Sequence, residues 1–160
     1  MTIAVGQRIP AMTVRVLNEG GTEEISTEAL FKGKVVLFAV PGAFTPTCTN
    51  QHLPGYVKHA DDFRKKGVDS VVCLAVNDDR VLNAWSKKVG VDGKVRLLAD
   101  GNADLTKAMG LDIDLRAAGL GTRSKRYAMI VENGVVKALQ VEETPRNCSV
   151  SSAPDILSKL

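Results

Sequence analysis

No unbroken apolar run in the chain is longer than Val35 to Val40, VVLFAV, and it narrows the possible folds more than any other feature. It is six residues long, half of them valine, and it is bounded by Gly33 on one side and by Pro41-Gly42 on the other. Length and flanks of this kind predict a strand buried on both faces, and such strands belong to sheets covered by helices. Ser70 to Val76 (SVVCLAV) has the same character, and Val95 to Ala99 supplies a third strand. A run of six is far short of the roughly 20 residues that cross a bilayer.

Helices are predicted between these strands. Ser26 can cap a short helix through Phe31 that ends near Gly33, and a longer one runs from about Cys48 to Lys66. Pro54 and Gly55 are expected to bend or break the latter. Asp78 or Asp79 caps a helix through Val89, and Asp100 or Asn102 caps one through Met109. Met12 to Leu17 alternates as a strand does, whereas the glycine-bearing stretch Leu111 to Ser124 reads as a loop with one helical turn. Arg126 to Val131 and Val135 to Val141 flank Asn133-Gly134, a hairpin signal because a type I′ turn needs positive φ twice. Ser152 caps a last helix, Pro154 to Leu160.

This order makes an α/β chain. A largely parallel central sheet, covered on both faces, is extended into a mixed sheet by the antiparallel terminal hairpin. A βαβ unit followed by ββα is the arrangement of the thioredoxin fold. No Gly-x-Gly-x-x-Gly follows a strand and no Walker loop is present, which sets a doubly wound nucleotide-binding fold aside. With 160 residues, 44% of them apolar, and no linker-like stretch, one domain over 1–160 is expected.

The net charge of +3 comes from scattered groups, Arg64-Lys65-Lys66, Lys87-Lys88 and Lys125-Arg126, with acids between them. That suits solvated helix ends rather than a nucleic-acid face. The N-terminus lacks the basic-then-apolar pattern of a secretory signal. A cytoplasmic location is expected, or an organellar one after loss of a transit segment. The three cysteines, Cys48, Cys73 and Cys148, form no disulfide framework and suit a reducing compartment.

The loop Pro41-Gly-Ala-Phe-Thr-Pro-Thr-Cys48 joins the first buried strand to a helix. A cysteine in a first helical turn meets free backbone N–H groups and the positive end of the helix dipole, and both favour a thiolate. An ordinary thiol of pKa about 8.5 is already roughly 3% ionised at pH 7, so complete ionisation gains only about thirtyfold, or ~2 kcal/mol. A fast reaction therefore needs groups that stabilise charge developing on the substrate. Thr45, three residues before Cys48, is one candidate, and an arginine from elsewhere is another. His52, four residues after Cys48, shares its helix face, so a Cys-His metal pair is conceivable, but no second ligand pair at metal spacing exists.

Pro41, Thr45 and Cys48 form Pro-x-x-x-Thr-x-x-Cys, which resembles the peroxiredoxin signature. PGAFTPTC with HLPG (52–55), CLAVND (73–78), KVRLLADG (94–101) and GTRSKRYAMIVENGVVKALQVE (121–142) resemble the type II peroxiredoxins over nearly the whole chain. These are the peroxiredoxin-5-like, atypical two-cysteine group of thioredoxin-fold peroxiredoxins. The resemblance implies that Cys48 attacks hydrogen peroxide or an alkyl hydroperoxide and becomes a sulfenic acid, without metal or organic cofactor. It further implies that Thr45 and Arg126 polarise the O–O bond, with Arg123 as the nearby alternative to Arg126. The backbone N–H groups of Gly42 and Cys48 would assist, and Pro41 would wall off water. Thioredoxin, or glutathione with glutaredoxin, would return the enzyme to its thiol form, and a homodimer through the face near the active-site loop is expected.

The plainer readings are these. Cys73, within SVVCLAV, is a buried small hydrophobe, although plant-like members carry a cysteine there. Trp85 is packing. Cys148 lies in the polar stretch EETPRNCS (142–149) and should be accessible. By resemblance it is the resolving cysteine, and direct resolution by glutathione is the alternative. A thioredoxin-type oxidoreductase needs Cys-x-x-Cys, but Gln51 stands in the second position. The remaining competitor to a peroxidase is a peroxide sensor without turnover.

Overall fold

The computed structural model describes residues 1–18 and 21–160. VVLFAV lies at the centre of the sheet as part of β3 (Lys34–Val40), and its six side chains divide between two cores. Side chains alternate across a strand. Val36, Phe38 and Val40 therefore enter one core, and Val35, Leu37 and Ala39 enter the other. β4 (Ser70–Ala75) and β5 (Arg96–Ala99) run parallel on one side of β3, giving the order β3-β4-β5.

The outer strands are all antiparallel. β1 (Thr13–Asn18) and β2 (Gly21–Ser26) extend the sheet beyond β5, and β8 (Tyr127–Glu132) and β9 (Val135–Val141) extend it beyond β3. The full order is β2-β1-β5-β4-β3-β8-β9. The sheet is mixed, and only its centre is parallel. β2 escaped the sequence pattern because GTEEIS is exposed along most of its length. So did the two three-residue strands β6 (Asp112–Asp114) and β7 (Thr122–Ser124), which pair around a 3-10 turn at Arg116–Ala118 where a loop with one helical turn was expected. Asn133 and Gly134 both adopt positive φ, 48° and 82°, as the hairpin turn requires.

The helices begin close to the expected caps. Ser26 caps α1 (Thr27–Leu30), Asp78 caps α4 (Asp79–Val89) and Ser152 caps α6 (Ala153–Leu157). α5 (Asp104–Ala108) differs from expectation, because its capping position is Ala103, a left-handed residue with no side-chain acceptor. Asp100 supplies the acceptor from further back, taking the N–H groups of Leu105 (3.2 Å) and Thr106 (2.8 Å). The expected helix from Cys48 to Lys66 is three pieces: a π-turn at Cys48–His52, α2 (Leu53–Lys58) and α3 (Ala60–Lys65). Pro54 does not break it. The i→i−5 bond from Leu53 N–H to the Cys48 carbonyl widens the turn just before Pro54, whose missing N–H then costs little. The break falls at His59 instead (φ −97°, ψ 11°).

Candidate active site

Leaving β3, the chain turns through Pro41 and Gly42, both buried, and enters the π-turn at Cys48, which is fully buried. The loop is held from several directions. Ala43 N–H donates to Asn77 Oδ1 at 2.9 Å, and Thr45 Oγ1 donates to the Gly42 carbonyl at 2.7 Å. Trp85 from α4 donates its indole N–H to Thr49 Oγ1 at 3.0 Å, so the tryptophan expected as packing also touches the turn that carries Cys48.

Arg126 precedes β8, the strand paired with β3, and reaches Cys48 from that neighbouring strand. Its Nη2 donates to Cys48 Sγ at 3.0 Å, Nη1 to His52 Nδ1 at 2.9 Å, and Nε to the Pro145 carbonyl at 3.0 Å. The side chain is only 2% exposed, and among the described residues no carboxylate forms an ion pair with it. A buried cation without a counter-charge is costly. The sulfur of Cys48 is the one contact of this guanidinium that can carry negative charge, so the geometry suits an anionic sulfur.

Arg123, the alternative arginine, lies elsewhere. From β7 its Nε donates to the Leu120 carbonyl at 2.8 Å, and Nη1 approaches the Pro41 carbonyl at 3.4 Å. It touches the loop, whereas Arg126 touches the sulfur. The structure therefore brings Arg126 onto Cys48 and Arg123 and Thr45 onto Pro41 and Gly42.

His52 is no metal ligand here, because both ring nitrogens are engaged. The Ser151 carbonyl can only accept, so Nε2 carries the proton and donates to it at 3.0 Å. Nδ1 is then the acceptor that Arg126 needs. Burial first, and next the charge of Arg126, push the His52 pKa down to about 3, which agrees with a neutral ring. Tyr56 Oη donates to the same Ser151 carbonyl at 2.7 Å, and burial raises its pKa well above the ordinary value. Its ring stacks on Phe38 at 3.9 Å between centroids, while Phe38 also meets His52 at 4.9 Å. The roles of His52, Tyr56 and Ser151 were not foreseen. Only the four-residue spacing of His52 from Cys48 signalled one of them.

Cys73 lies on β4 beside Phe38 of β3, fully packed, and burial pushes its thiol pKa well up. Cys148 is half-buried rather than freely accessible. Burial raises its pKa, Arg126 opposes this, and the charges of Glu142 and Cys48 add to the rise. All three cysteines are free thiols. The segment bearing Cys148 is attached to the site on both sides: Thr47 Oγ1 donates to the Arg146 carbonyl at 3.2 Å, and Ser151 binds His52 and Tyr56.

Comparison with known proteins places the chain in a family. The redoxin family model matches residues 4–157. Peroxiredoxin-2E, chloroplastic, of Arabidopsis thaliana is 44% identical over 164 residues, covering 99% of this chain and 70% of that protein. Peroxiredoxin-2F, mitochondrial, of the same plant is 44% identical over 150 residues, covering 91% and 75%. The relatives thus include both chloroplastic and mitochondrial proteins. The crystal structure of reduced Prx3 from Vibrio vulnificus in complex with hydrogen peroxide superposes with a TM-score of 0.92 at 46% identity, covering 99% of each chain. A thioredoxin-like α/β sheet with a buried cysteine under an arginine, and matches of this extent, lead to one conclusion: the chain belongs to the redoxin family as a type II peroxiredoxin, a thiol-dependent peroxidase.

Proposed function

We propose that Cys48 is the nucleophile that reduces hydrogen peroxide and alkyl hydroperoxides, and that Arg126, Thr45 and the backbone N–H groups of Gly42 and Cys48 hold the peroxide. The observation that carries this reading is the 3.0 Å approach of Arg126 Nη2 to Cys48 Sγ at a buried position. The sulfur attacks one peroxide oxygen as the O–O bond breaks, and two electrons pass from sulfur to oxygen. The leaving oxygen takes up the proton of the attacked oxygen and departs as water or alcohol, and the sulfenate left on Cys48 takes one from solvent. Two N–H groups of a fixed guanidinium suit two adjacent oxygens whose charge grows in the transition state. Thr45 has committed its hydroxyl proton to Gly42, so its lone pairs are the part that can accept the peroxide hydrogen. The relative solved with hydrogen peroxide bound supports this substrate class.

Recycling is assigned to Cys148. Its thiol attacks the sulfenic sulfur, water leaves, and the disulfide with Cys48 is reduced by thioredoxin; glutathione with glutaredoxin is the competing route. We further propose that the chain works as one domain over 1–160 in a reducing compartment such as the cytoplasm, or an organelle as in its chloroplastic and mitochondrial relatives. The half-exposed Phe44 ring on the active-site loop supports a homodimer through that face.

Peroxide consumption with a thiol reductant tests the core of the proposal. Cys48→Ser should abolish turnover and Cys73→Ser should keep most of it. Arg126→Lys, which retains charge but loses the planar fork, should cost roughly tenfold or more in rate with folding intact. Turnover by Cys48→Ser would overturn the assignment of the nucleophile. A severe loss in Arg123→Lys with near-normal Arg126→Lys would move the charge-stabilising role to Arg123.

A further inference from the structure

We propose that Glu142 is a positioning residue for the peroxide reaction, acting through Ser151 and His52 on the guanidinium of Arg126. The inference rests on the assignment of Cys48 and Arg126 above. Glu142 follows the last residue of β9 and is buried. Its carboxylate accepts four donors, all from the segment that carries Cys148. Ser149 N–H and Ser151 N–H reach Oε2 at 2.9 and 2.7 Å, the Ser151 hydroxyl reaches Oε2 at 2.6 Å, and the Ser149 hydroxyl reaches Oε1 at 3.1 Å. Burial alone would raise its pKa, but these donors outweigh it and hold the carboxyl below its ordinary range.

The consequence lies on the far side of Ser151. With its N–H and hydroxyl fixed by Glu142, the residue presents its carbonyl to His52 Nε2 and Tyr56 Oη. That carbonyl sets the His52 tautomer, because a ring donating through Nε2 must accept through Nδ1. Nδ1 is what receives Arg126 Nη1, and the neighbouring Nη2 is what reaches Cys48. The chain of contacts is thus carboxylate, serine, imidazole, guanidinium, sulfur, buried along most of its length. No member of it other than Arg126 touches Cys48 in this chain of contacts, so Glu142 acts on orientation and not on the reacting atoms. Misplacing a reacting or charge-stabilising group by about 1 Å can cost on the order of a hundredfold in rate.

Glu142→Gln keeps the shape but turns one of the two accepting oxygens into a donor. It should lower the second-order rate of Cys48 oxidation by hydrogen peroxide about tenfold, read by rapid quench and intact-mass detection of the sulfenic acid. The discriminating measurement is a double-mutant cycle with Arg126→Lys. Once the guanidinium fork is gone, Glu142→Gln should cost less than about twofold, because its effect runs through that fork. A loop clamp of purely structural value would give the same loss in both backgrounds, tracked by the melting midpoint. If Glu142→Gln does not fold, Ser151→Ala removes a single hydroxyl donor and should cost about threefold in the same assay. A wild-type rate in the folded single variant, or a tenfold loss that persists in the Arg126→Lys background, overturns the proposal. An active Cys48→Ser would instead overturn the reading on which it rests.

Discussion

His52 stands between a carbonyl that accepts its Nε2 proton and a guanidinium that donates to its Nδ1, and this position makes it sensitive to acid. An unfolded histidine takes up a proton near 6.5, whereas His52 in the fold holds out until about 3. Between those values the unfolded chain binds more protons than the folded one, so stability falls as the pH falls, by at most about 1.4 kcal/mol per unit from this group. Glu142, with its pKa lowered by the serine donors, adds a second loss that begins near the ordinary carboxylate range. The urea midpoint should therefore drop between pH 7 and pH 5, and His52→Gln should flatten that slope because an amide does not titrate there. An unchanged slope in His52→Gln would show that the acid sensitivity lies elsewhere. Helical spacing alone placed His52 on the face of Cys48. It could not reveal that the partner comes from 74 residues further along the chain. Arg126 itself was legible only through the family resemblance, since a lone arginine before a strand is by default a surface charge. Glu142 and Ser151 were hidden for another reason: the Glu142 carboxylate is met in part by backbone N–H groups, and Ser151 meets His52 through its backbone carbonyl, groups that every residue has.

Among the elements, those with apolar alternation or a capping side chain were readable, and those without either were not. β3, β4 and β9 lie within a residue of where the apolar runs put them, and the caps at Ser26, Asp78 and Ser152 form. β2, β6 and β7 carry little buried surface, so no hydrophobic period marks them. Yet the β6–β7 pair contributes to the site, because β7 aims Arg123 at the Pro41-Gly42 turn. Gly42 has no Cβ there, and one built on its backbone would lie 2.8 Å from Arg123 Nη1 and 3.4 Å from Thr45 Cγ2. Gly42→Ala must therefore displace the guanidinium, the far end of a flexible side chain, from its 3.4 Å contact with the Pro41 carbonyl, a loss at the low end of the about 1–3 kcal/mol that overpacking costs. The melting midpoint of Gly42→Ala should fall accordingly. Arg123→Ala empties the space the methyl group needs, so Gly42→Ala should cost much less when added to Arg123→Ala than when made alone. Equal losses in the two backgrounds would mean that the glycine is required for some reason other than this contact.

At the scale of the whole molecule, the site sits over one of the two cores, where Cys48, Phe38, Tyr56, Cys73 and Trp85 belong to a single buried cluster on one face of the sheet. Most of the chain is fixed by that packing. The stretch between β9 and α6 is held instead by polar contacts: Pro145 and Arg146 through their carbonyls, Ser149 and Ser151 through Glu142. Polar contacts of this kind can open one by one, whereas a buried strand opens only with the fold. The difference matters for the disulfide proposed between Cys48 and Cys148. In the structure Cys48 is fully buried beneath Arg126, and both thiols are free. Bridging needs Cα atoms within about 7 Å and a defined approach of the two side chains. Bond formation should therefore release the Pro145 carbonyl from Arg126 and the Arg146 carbonyl from Thr47, and it should loosen the π-turn. Trp85, the one tryptophan in the chain, is bonded to Thr49 on that turn and makes the event visible. One equivalent of peroxide should change Trp85 emission in two phases, the first with sulfenic acid formation and the second with the disulfide. Non-reduced peptide mapping should then show Cys48 joined to Cys148 within one chain. Cys148→Ser should keep the first phase, lose the second and accumulate sulfenic acid. A Cys148→Ser variant with full thioredoxin-supported turnover, and Cys48 linked only to glutathione in the wild type, would assign recycling to the glutathione route.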